Sequence, residues 1–214
     1  MVQERAVRTR EALVRAAGEV LAVEGFAGTS LGVIARRAGV SVGALHFHFP
    51  SKEALVRAVE AEAGVRVRRV AAACAGGDSA LVEVVGAAFG VLRVVVDDPV
   101  VRAGFRLGAD PSRKGDGGLL VWWRGFVRER VVRAGEAGEL VAHVSVEDAA
   151  RVIVVATVGF EAVALAEAQW PSVERVAAFW SLVLPWLAVA PEGVMARVLQ
   201  AQAEAEGGPL AAAS

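Results

Sequence analysis

The sequence predicts an all-α protein, in which a small N-terminal helical domain is followed by a larger helical domain. Apolar residues recur three and four positions apart along most of the chain, which is the spacing of helices that bury one face. Hydrophobic residues make up 55% of the 214 residues, which is enough for a sizeable core. Gly and Pro are scattered, and no repeat with a period of about 20 to 50 residues is present.

Glycines separate the first two predicted helices. A helix is predicted over residues 9–24, Gly25 and Gly28 bracket a short loop, and Thr29 or Ser30 caps a second helix that Gly39 ends. Each helix has one apolar face, formed by Leu13, Ala16, Ala17, Val20 and Leu21 in the first and by Leu31, Ile34, Ala35 and Ala38 in the second.

A third, short helix follows after a tight turn. A single residue separates Gly39 from Ser41, whose hydroxyl can accept backbone N–H bonds at the start of a helix over residues 42–48. Pro50 stops this helix, and Ser51 can cap a fourth helix that begins at the next residue. Two short helices joined in this way are typical of a helix-turn-helix motif, whose second helix lies in the major groove of DNA.

The third helix has an anchoring side and a side that can face DNA. Leu45 and Phe49, four positions apart, can anchor it to the other two helices, and we expect Phe47 to lie in the core as well. Small residues near its start permit close approach to the groove and contact with thymine methyl groups. Histidines can donate to phosphates or bases, and a lysine at a helix N-terminus suits a phosphate. The predicted DNA contacts are Thr29, Arg36, Ser41, Val42, Gly43, Ala44, His46, His48 and Lys52.

The two histidines of this helix do not predict a metal site. His46 and His48 are two positions apart on a helix and therefore do not face each other. Neither an acidic residue nor a cysteine nearby completes a ligand set. We therefore expect neither a metal nor a cofactor.

The segment TSLGVIARRAGVSVGALHFHFPSKEALV resembles the DNA-binding domain of TetR-family transcriptional regulators. It follows the family's pattern of Thr, Ile-Ala, Ala-Gly-Val, Gly-x-x-Tyr-x-His-Phe and Lys-x-x-Leu in the family's order within residues 8–59, with His46 in place of the tyrosine. His46 stands where the family usually has a tyrosine that contacts the DNA backbone, and Val42 stands where it often has lysine. The resemblance implies an operator-binding regulator, and the two departures shift base reading toward Ser41, apolar contacts and DNA shape.

A predicted helix beginning at Leu119 places two adjacent tryptophans on its apolar stripe. Core packing explains either tryptophan taken alone, whereas a cavity for a small apolar ligand would be lined by the same side chains. The family's receptors for gamma-butyrolactone autoinducers have a similar recognition segment and cover their ligand with a tryptophan of a comparable helix, which favours Trp122 and then Trp123. Further candidates lie on an apolar helix over residues 149–168. The predicted ligand-binding residues are Trp122, Trp123, Phe126, Thr157, Phe160 and Glu161.

Two long apolar segments, residues 146–170 and 173–187, predict antiparallel helices separated by a proline turn. Their all-round hydrophobicity exceeds what the core of one monomer needs, so we expect a two-fold four-helix interface between two copies. The predicted domains are a DNA-binding domain over residues 1–52 and a ligand-binding and dimerisation domain over residues 53–204. Residues 205–214 are expected to form a disordered tail.

Charge and composition narrow the class of protein. The net charge is −1, but residues 1–70 hold 11 basic and 7 acidic residues, which gives this end an excess of positive charge that suits an anionic partner. The longest uncharged run is shorter than the roughly 20 apolar residues of a membrane span. Because the N-terminus has no apolar leader, we expect a cytoplasmic protein that does not associate with a membrane. The lone Cys74 is expected to be a small apolar side chain.

These observations together predict a homodimeric, ligand-responsive transcriptional regulator. We expect a repressor that a small apolar signal, such as a gamma-butyrolactone or a related furan or butenolide, releases from a near-palindromic operator. One alternative is a regulator of efflux or catabolic genes that senses an unrelated hydrophobic compound. Others are a helical dimer without DNA binding and an enzyme, but the common catalytic motifs are absent and His143 has no evident catalytic partner.

Overall fold

The computed structural model describes residues 2–110, 113, 118–166 and 172–207, and these residues form ten α-helices. The prediction of an all-α protein is confirmed. No helix within these ranges is long and apolar enough to traverse a lipid bilayer. The helices are α1 (Val2–Gly28), α2 (Leu31–Arg37), α3 (Val42–His48), α4 (Lys52–Ala73), α5 (Ala80–Asp97), α6 (Pro99–Ala109), α7 (Gly118–Glu136), α8 (Val146–Ala166), α9 (Val173–Leu187) and α10 (Pro191–Gly207).

The chain divides into two compact units. The first comprises Met1–Val67 and Asp97–Trp122, and the second comprises Arg68–Val96 and Trp123–Ser214. The first unit contains α6 in addition to the N-terminal helices because α6 packs along α1. The predicted boundary at residue 52 separates a DNA-binding domain from a ligand-binding and dimerisation domain. It divides the chain by function and not by compactness, and it stays a prediction.

Helix α1 is longer than the sequence predicts. It runs from Val2 to Gly28, and the expected loop is replaced by a kink at Gly25, whose φ of 71° lies in the left-handed region that glycine tolerates. Arg106 of α6 stabilises the residues before this kink, because its Nη1 donates to the carbonyl oxygen of Ala22 at 2.9 Å. The two helices also approach closely at Gly18, where a Cβ atom would lie 2.8 Å from Cγ2 and 2.9 Å from Cα of Val100.

In the second unit, a carboxylate from a distant turn caps α5. Glu139 accepts hydrogen bonds from the Ser79 hydroxyl at 2.6 Å and from the backbone N–H groups of Ala80 at 3.0 Å and Leu81 at 2.9 Å. These are donors that the first turn of a helix leaves without an internal partner. Glu139 thereby ties the segment after α7 to the start of α5.

The two long apolar helices that the sequence predicts are α8 and α9. The structure describes them as Val146–Ala166 and Val173–Leu187, while residues 167–171 lie outside the described ranges. Helix α10 packs against α9 and continues through Gly207, so the first three residues of the predicted tail are helical. The other residues of that tail, 208–214, also lie outside the described ranges.

Candidate nucleic-acid interface and effector site

The predicted helix-turn-helix is present, and its turn has the expected chemistry. Gly39 has a φ of 68° and ends α2, and an added Cβ atom would meet nothing within 4 Å there. The hydroxyl of Ser41 caps α3 by accepting the N–H of Ala44 at 3.1 Å. Leu45 is completely buried and Phe49 almost so, which confirms that these two residues anchor α3.

The exposed face of α3 combines small, polar and aromatic side chains. Ser41, Val42, Gly43 and His46 are exposed, whereas Ala44 and His48 are half-buried. The prediction that Phe47 lies in the core is wrong, because its side chain is 83% exposed. Residues two positions apart on a helix point in nearly opposite directions, so Phe47 cannot share the buried side of Leu45 and Phe49. Its ring makes an edge contact with His48, with 5.2 Å between centroids.

Besides Ser41, the predicted DNA contacts Thr29 and Lys52 have hydrogen-bond partners inside the protein. Thr29 is buried, and its hydroxyl donates to the carbonyl oxygen of Gly25 at 2.6 Å, so this side chain does not belong to the exposed face. Lys52 is half-buried, its Nζ donates to the carbonyl oxygen of Phe26, and the ammonium lies 4.3 Å from the centroid of the Phe26 ring. A phosphate contact of Lys52 stays a prediction, and the ammonium has two further N–H donors besides the one bonded to that carbonyl.

The N-terminus of α4 offers fewer free donors than the sequence suggests. The hydroxyl of Ser51 accepts the N–H of Ala54 at 3.1 Å. A hydrogen bond from its own backbone N–H, and then one with Ser51, lower the pKa of the exposed Glu53 carboxyl. Glu53 is therefore anionic at neutral pH and lies next to Lys52 in the chain. Because an anion already occupies the first turn of α4, this helix end attracts phosphate less than an unoccupied one would.

Arginines on α1 and α2 differ in the contacts that their side chains make within the protein. Arg37 is paired with Glu19 of α1 at 2.6 Å, whereas the predicted contact Arg36 is exposed at the end of α2. Arg10 of α1 is exposed and lies over the ring of Phe49, 5.3 Å from its centroid. Arg10 is not among the contacts predicted from the sequence, because nothing in the sequence around it indicates that it lies close to the end of α3.

The predicted effector residues of α7 are partly core residues. The apolar stripe of α7 is confirmed, with Leu119, Trp123, Val127 and Val131 buried. Trp123 stacks on Phe126 at 5.5 Å between ring centroids, whereas Trp122 is half-buried. Trp123 therefore has the packing of a core side chain, and Trp122 has more surface left for a ligand.

The predicted effector residues of α8 are distributed differently. Thr157 is buried and its hydroxyl donates to the carbonyl oxygen of Ile153 at 2.9 Å, so its hydrogen is already used. Phe160 makes an edge contact with Phe179 of α9, with ring centroids 5.2 Å apart. The side chain of Glu161 lies outside the described part of the structure.

An apolar groove of about 550 Å³ lies between α8 and α9 and is open to solvent. Of the predicted effector residues whose side chains are described, Phe160 lines it, and Trp122, Trp123, Phe126 and Thr157 do not. The lining residues in the described part of the chain are Arg151, Val152, Val155, Ala156, Gly159, Phe160, Val163, Phe179 and Val183. In the described part of the chain, no group of three or more His, Cys, Asp or Glu side chains is arranged to hold a metal ion.

Comparison with known proteins agrees with the helix-turn-helix. Residues 13–59 match the model of the bacterial regulatory proteins of the tetR family. The chain is 29% identical to the A-factor receptor protein of Streptomyces griseus over 214 residues, which cover 95% of this chain and 75% of that protein.

Solved structures extend the likeness to the whole fold. A gamma-butyrolactone receptor, an ArpA-like protein, superposes with a TM-score of 0.76 and 27% identity, over 94% of this chain and 98% of that one. The TetR-family protein CprB from Streptomyces coelicolor, in complex with its biological operator sequence, gives a TM-score of 0.78 and 27% identity, over 94% and 99% of the two chains. Since the relatives are regulators, the expectation that the chain is not an enzyme is supported. The chain belongs to the TetR family of bacterial regulatory proteins and is similar within it to the gamma-butyrolactone receptors.

Proposed function

We propose that this chain is a homodimeric repressor. Its two α3 helices bind a near-palindromic operator, and a small apolar effector weakens this DNA binding. The observation that carries the proposal is the exposed face of α3, on which Ser41, Val42, Gly43, His46 and Phe47 follow a tight helix-turn-helix turn. Helix α3 carries no carboxylate that would repel phosphates.

The side chains of this face determine how DNA would be read. Val42 and Phe47 are 46% and 83% exposed, and such apolar groups contact the thymine methyl group in the major groove. His46 supplies a hydrogen-bond donor or acceptor, and Ser41 a hydroxyl. Since α3 has no Arg, Asn or Gln, it makes no bidentate pair with guanine or adenine, and sequence preference rests on apolar contacts and DNA shape.

A dimer presents two α3 helices to the DNA at a fixed spacing, and binding at two half-sites raises the affinity for the operator. Two copies of α3 related by a two-fold axis would meet half-sites about 34–36 Å apart, one turn of DNA. The relative solved with its operator supports DNA binding here. Exposed apolar side chains on α8 and α9, including Val155, Leu182 and Trp186, support association through these helices.

The effector is proposed to be a gamma-butyrolactone or a chemically similar apolar molecule, since relatives are receptors for such compounds. It would bind the region of Trp122, Trp123, Phe126, Thr157, Phe160 and Glu161. Of these, Trp122 has the best combination of aromatic surface and accessibility. The effector would favour a conformer in which the two α3 helices are mis-spaced for DNA, and such coupling is typically worth about 5- to 150-fold in affinity.

The DNA-binding part is tested by selecting genomic fragments on the purified chain and sequencing them. The expected result is one near-palindromic site with strongly salt-dependent affinity. Gly43→Leu places bulk on the exposed face, where the nearest atom to a Cβ is the Ser41 hydroxyl oxygen at 3.9 Å. It should fold normally and lose operator binding. Gly125→Leu on α7, where a Cβ would meet nothing within 4 Å, is the matched control. Equal affinity of the two variants for the selected site would show that α3 does not read DNA.

The effector part is tested on the same DNA with a synthetic gamma-butyrolactone of the A-factor type. Release of the wild type, with Trp122→Ala requiring more lactone, is the expected result. Trp122 is preferred to Trp123, because truncation of the completely buried Trp123 would cost about 3–5 kcal/mol of stability in its own right. Retained DNA binding at saturating lactone would instead favour a regulator of efflux or catabolic genes that senses another hydrophobic compound.

A further inference from the structure

The recognition helix carries none of the fixed positive charge that holds a protein on DNA. Contacts with phosphates supply much of the affinity for DNA, and lysine and arginine are the usual donors. Helix α3 contains neither residue. At the start of α4, the Lys52 ammonium already donates to the carbonyl oxygen of Phe26, and the anionic Glu53 is next to it in the chain. Cations of other helices are therefore needed beside α3.

Arg10 of α1 lies at such a position. Its Cζ is 5.3 Å from the centroid of the Phe49 ring. Phe49 directly follows α3 and is almost completely buried, so its ring is a fixed support for Arg10 at the end of α3. Arg10 itself is exposed. An arginine of a different helix is thus held beside the recognition helix and stays open to solvent.

The contacts of Arg10 leave its hydrogen-bond donors available. A guanidinium has five N–H donors in a planar fork that matches two phosphate oxygens, and attraction to an aromatic face uses its charge. In the described part of the chain, no carboxylate forms an ion pair with Arg10. Arg37 differs in this respect, because it is paired with Glu19 at 2.6 Å. Arg10 can therefore bind a phosphate without breaking an ion pair inside the protein.

We infer that Arg10 of each copy binds a phosphate of the DNA backbone beside the major groove that α3 enters. The inference rests on the proposed function and adds a contact from a helix outside the helix-turn-helix. The Phe49 ring holds the guanidinium in place before DNA binds, which reduces the ordering cost of the contact. Because every base pair carries the same phosphates, the contact contributes affinity and orientation but no sequence preference.

Arg8 provides a matched control on the same helix. It is also exposed, and it lies two positions before Arg10, so the two side chains point in nearly opposite directions. Arg8→Ala and Arg10→Ala remove the same charge from the same end of the protein. Arg10→Lys keeps the charge but loses the planar fork. Circular dichroism and thermal unfolding of the full-length variants verify that all three fold.

The salt dependence of binding to the selected operator measures the contact. Each lost phosphate contact lowers the magnitude of the slope of log K against log salt concentration by about 0.9, so Arg10→Ala should lower it by about 1.8 for a dimer. Its affinity should fall at least about tenfold, and by a similar factor on a scrambled duplex of the same length. Arg10→Lys should keep the wild-type slope, and Arg8→Ala should leave the slope close to the wild-type value.

Neutral methylphosphonate groups, placed one at a time in the operator, locate the contact. Replacing the phosphate that Arg10 binds should weaken binding of the wild type and of Arg8→Ala. It should leave binding of Arg10→Ala unchanged, because that variant has already lost the contact.

The outcomes separate this inference from the proposed function. A wild type that selects no DNA site would remove the operator function and this contact together. If the wild type selects a site but Arg10→Ala and Arg8→Ala change the salt slope equally, or not at all, this contact alone is removed, since any loss is then one of net charge. The same holds if every methylphosphonate weakens Arg10→Ala as much as it weakens the wild type.

Discussion

Replacing Gly18 by alanine tests how closely α1 must approach α6. The added methyl group would lie 2.8 Å from Cγ2 and 2.9 Å from Cα of Val100, well inside the optimal carbon–carbon separation of about 3.5–4.0 Å. Rotation of the valine side chain relieves the first contact but not the second, because Cα belongs to the backbone. The helices must therefore move apart, or the packing around them must be strained.

The expected loss follows from two opposing effects. Overpacking of a core typically costs about 1–3 kcal/mol. Alanine in a helix interior recovers about 0.5–1 kcal/mol relative to glycine. We expect Gly18→Ala to lower the free energy of unfolding by about 1 kcal/mol, which corresponds to about 2–4 °C in Tm for a domain of about 150–250 residues.

Gly125→Ala is the control for the helix propensity alone, since its Cβ would meet nothing within 4 Å. It should stabilise the protein by about 0.5–1 kcal/mol, so the two variants should differ by about 2 kcal/mol. Urea unfolding followed by circular dichroism measures both. If Gly18→Ala proves as stable as Gly125→Ala, then α1 and α6 are not tightly packed at this point, and the reasoning from the contact distances fails.

Three further predictions concern the α3 face, the cap of α5 and the cysteine. Phe47→Ala should leave stability within about 0.5 kcal/mol of the wild type, yet weaken binding to the selected operator at least about tenfold with an unchanged salt slope, because the lost contact is apolar; a change in the salt slope alone would contradict this. Glu139→Gln should cost about 1–2 kcal/mol in urea unfolding through the weakened cap of α5, and an unchanged unfolding midpoint would refute it. Burial, and then the Glu83 carboxylate, raise the pKa of the Cys74 thiol, so its alkylation by iodoacetamide should keep accelerating above the pH at which an ordinary cysteine levels off.

Local chemistry accounts for what the sequence predicts well. The serine caps and the glycine turn of the helix-turn-helix involve residues at most four positions apart, so their roles are visible in the sequence itself. The long helices α8 and α9 are likewise evident from their apolar composition. The exposure of Phe47 was also predictable, because a residue two positions from both Leu45 and Phe49 lies on the opposite side of a helix.

Contacts between distant segments account for what the sequence did not reveal. Lys52 donates to the carbonyl oxygen of Phe26, 26 positions earlier, and Glu139 caps a helix that begins 59 positions before it. Neither partner has a local signature. The same applies to the adjacent tryptophans, since only the packing of α7 distinguishes the buried Trp123 from the half-buried Trp122.

Two exposed apolar surfaces in the described part of this protein, on α3 and on α9, suit different partners because their surroundings differ. On α3, Val42 and Phe47 lie among a hydroxyl and two imidazoles, and the helix carries no carboxylate, so the surface suits a polyanion with apolar groups in its groove. On α9, Leu182 and Trp186 are exposed on the helix that borders the α8–α9 groove. Among the described side chains that line this groove, Arg151 is the charged one, and it is paired within its own helix. Such a face gains nothing from a phosphate backbone and gains most from an equally apolar surface, which a second copy of the same chain supplies.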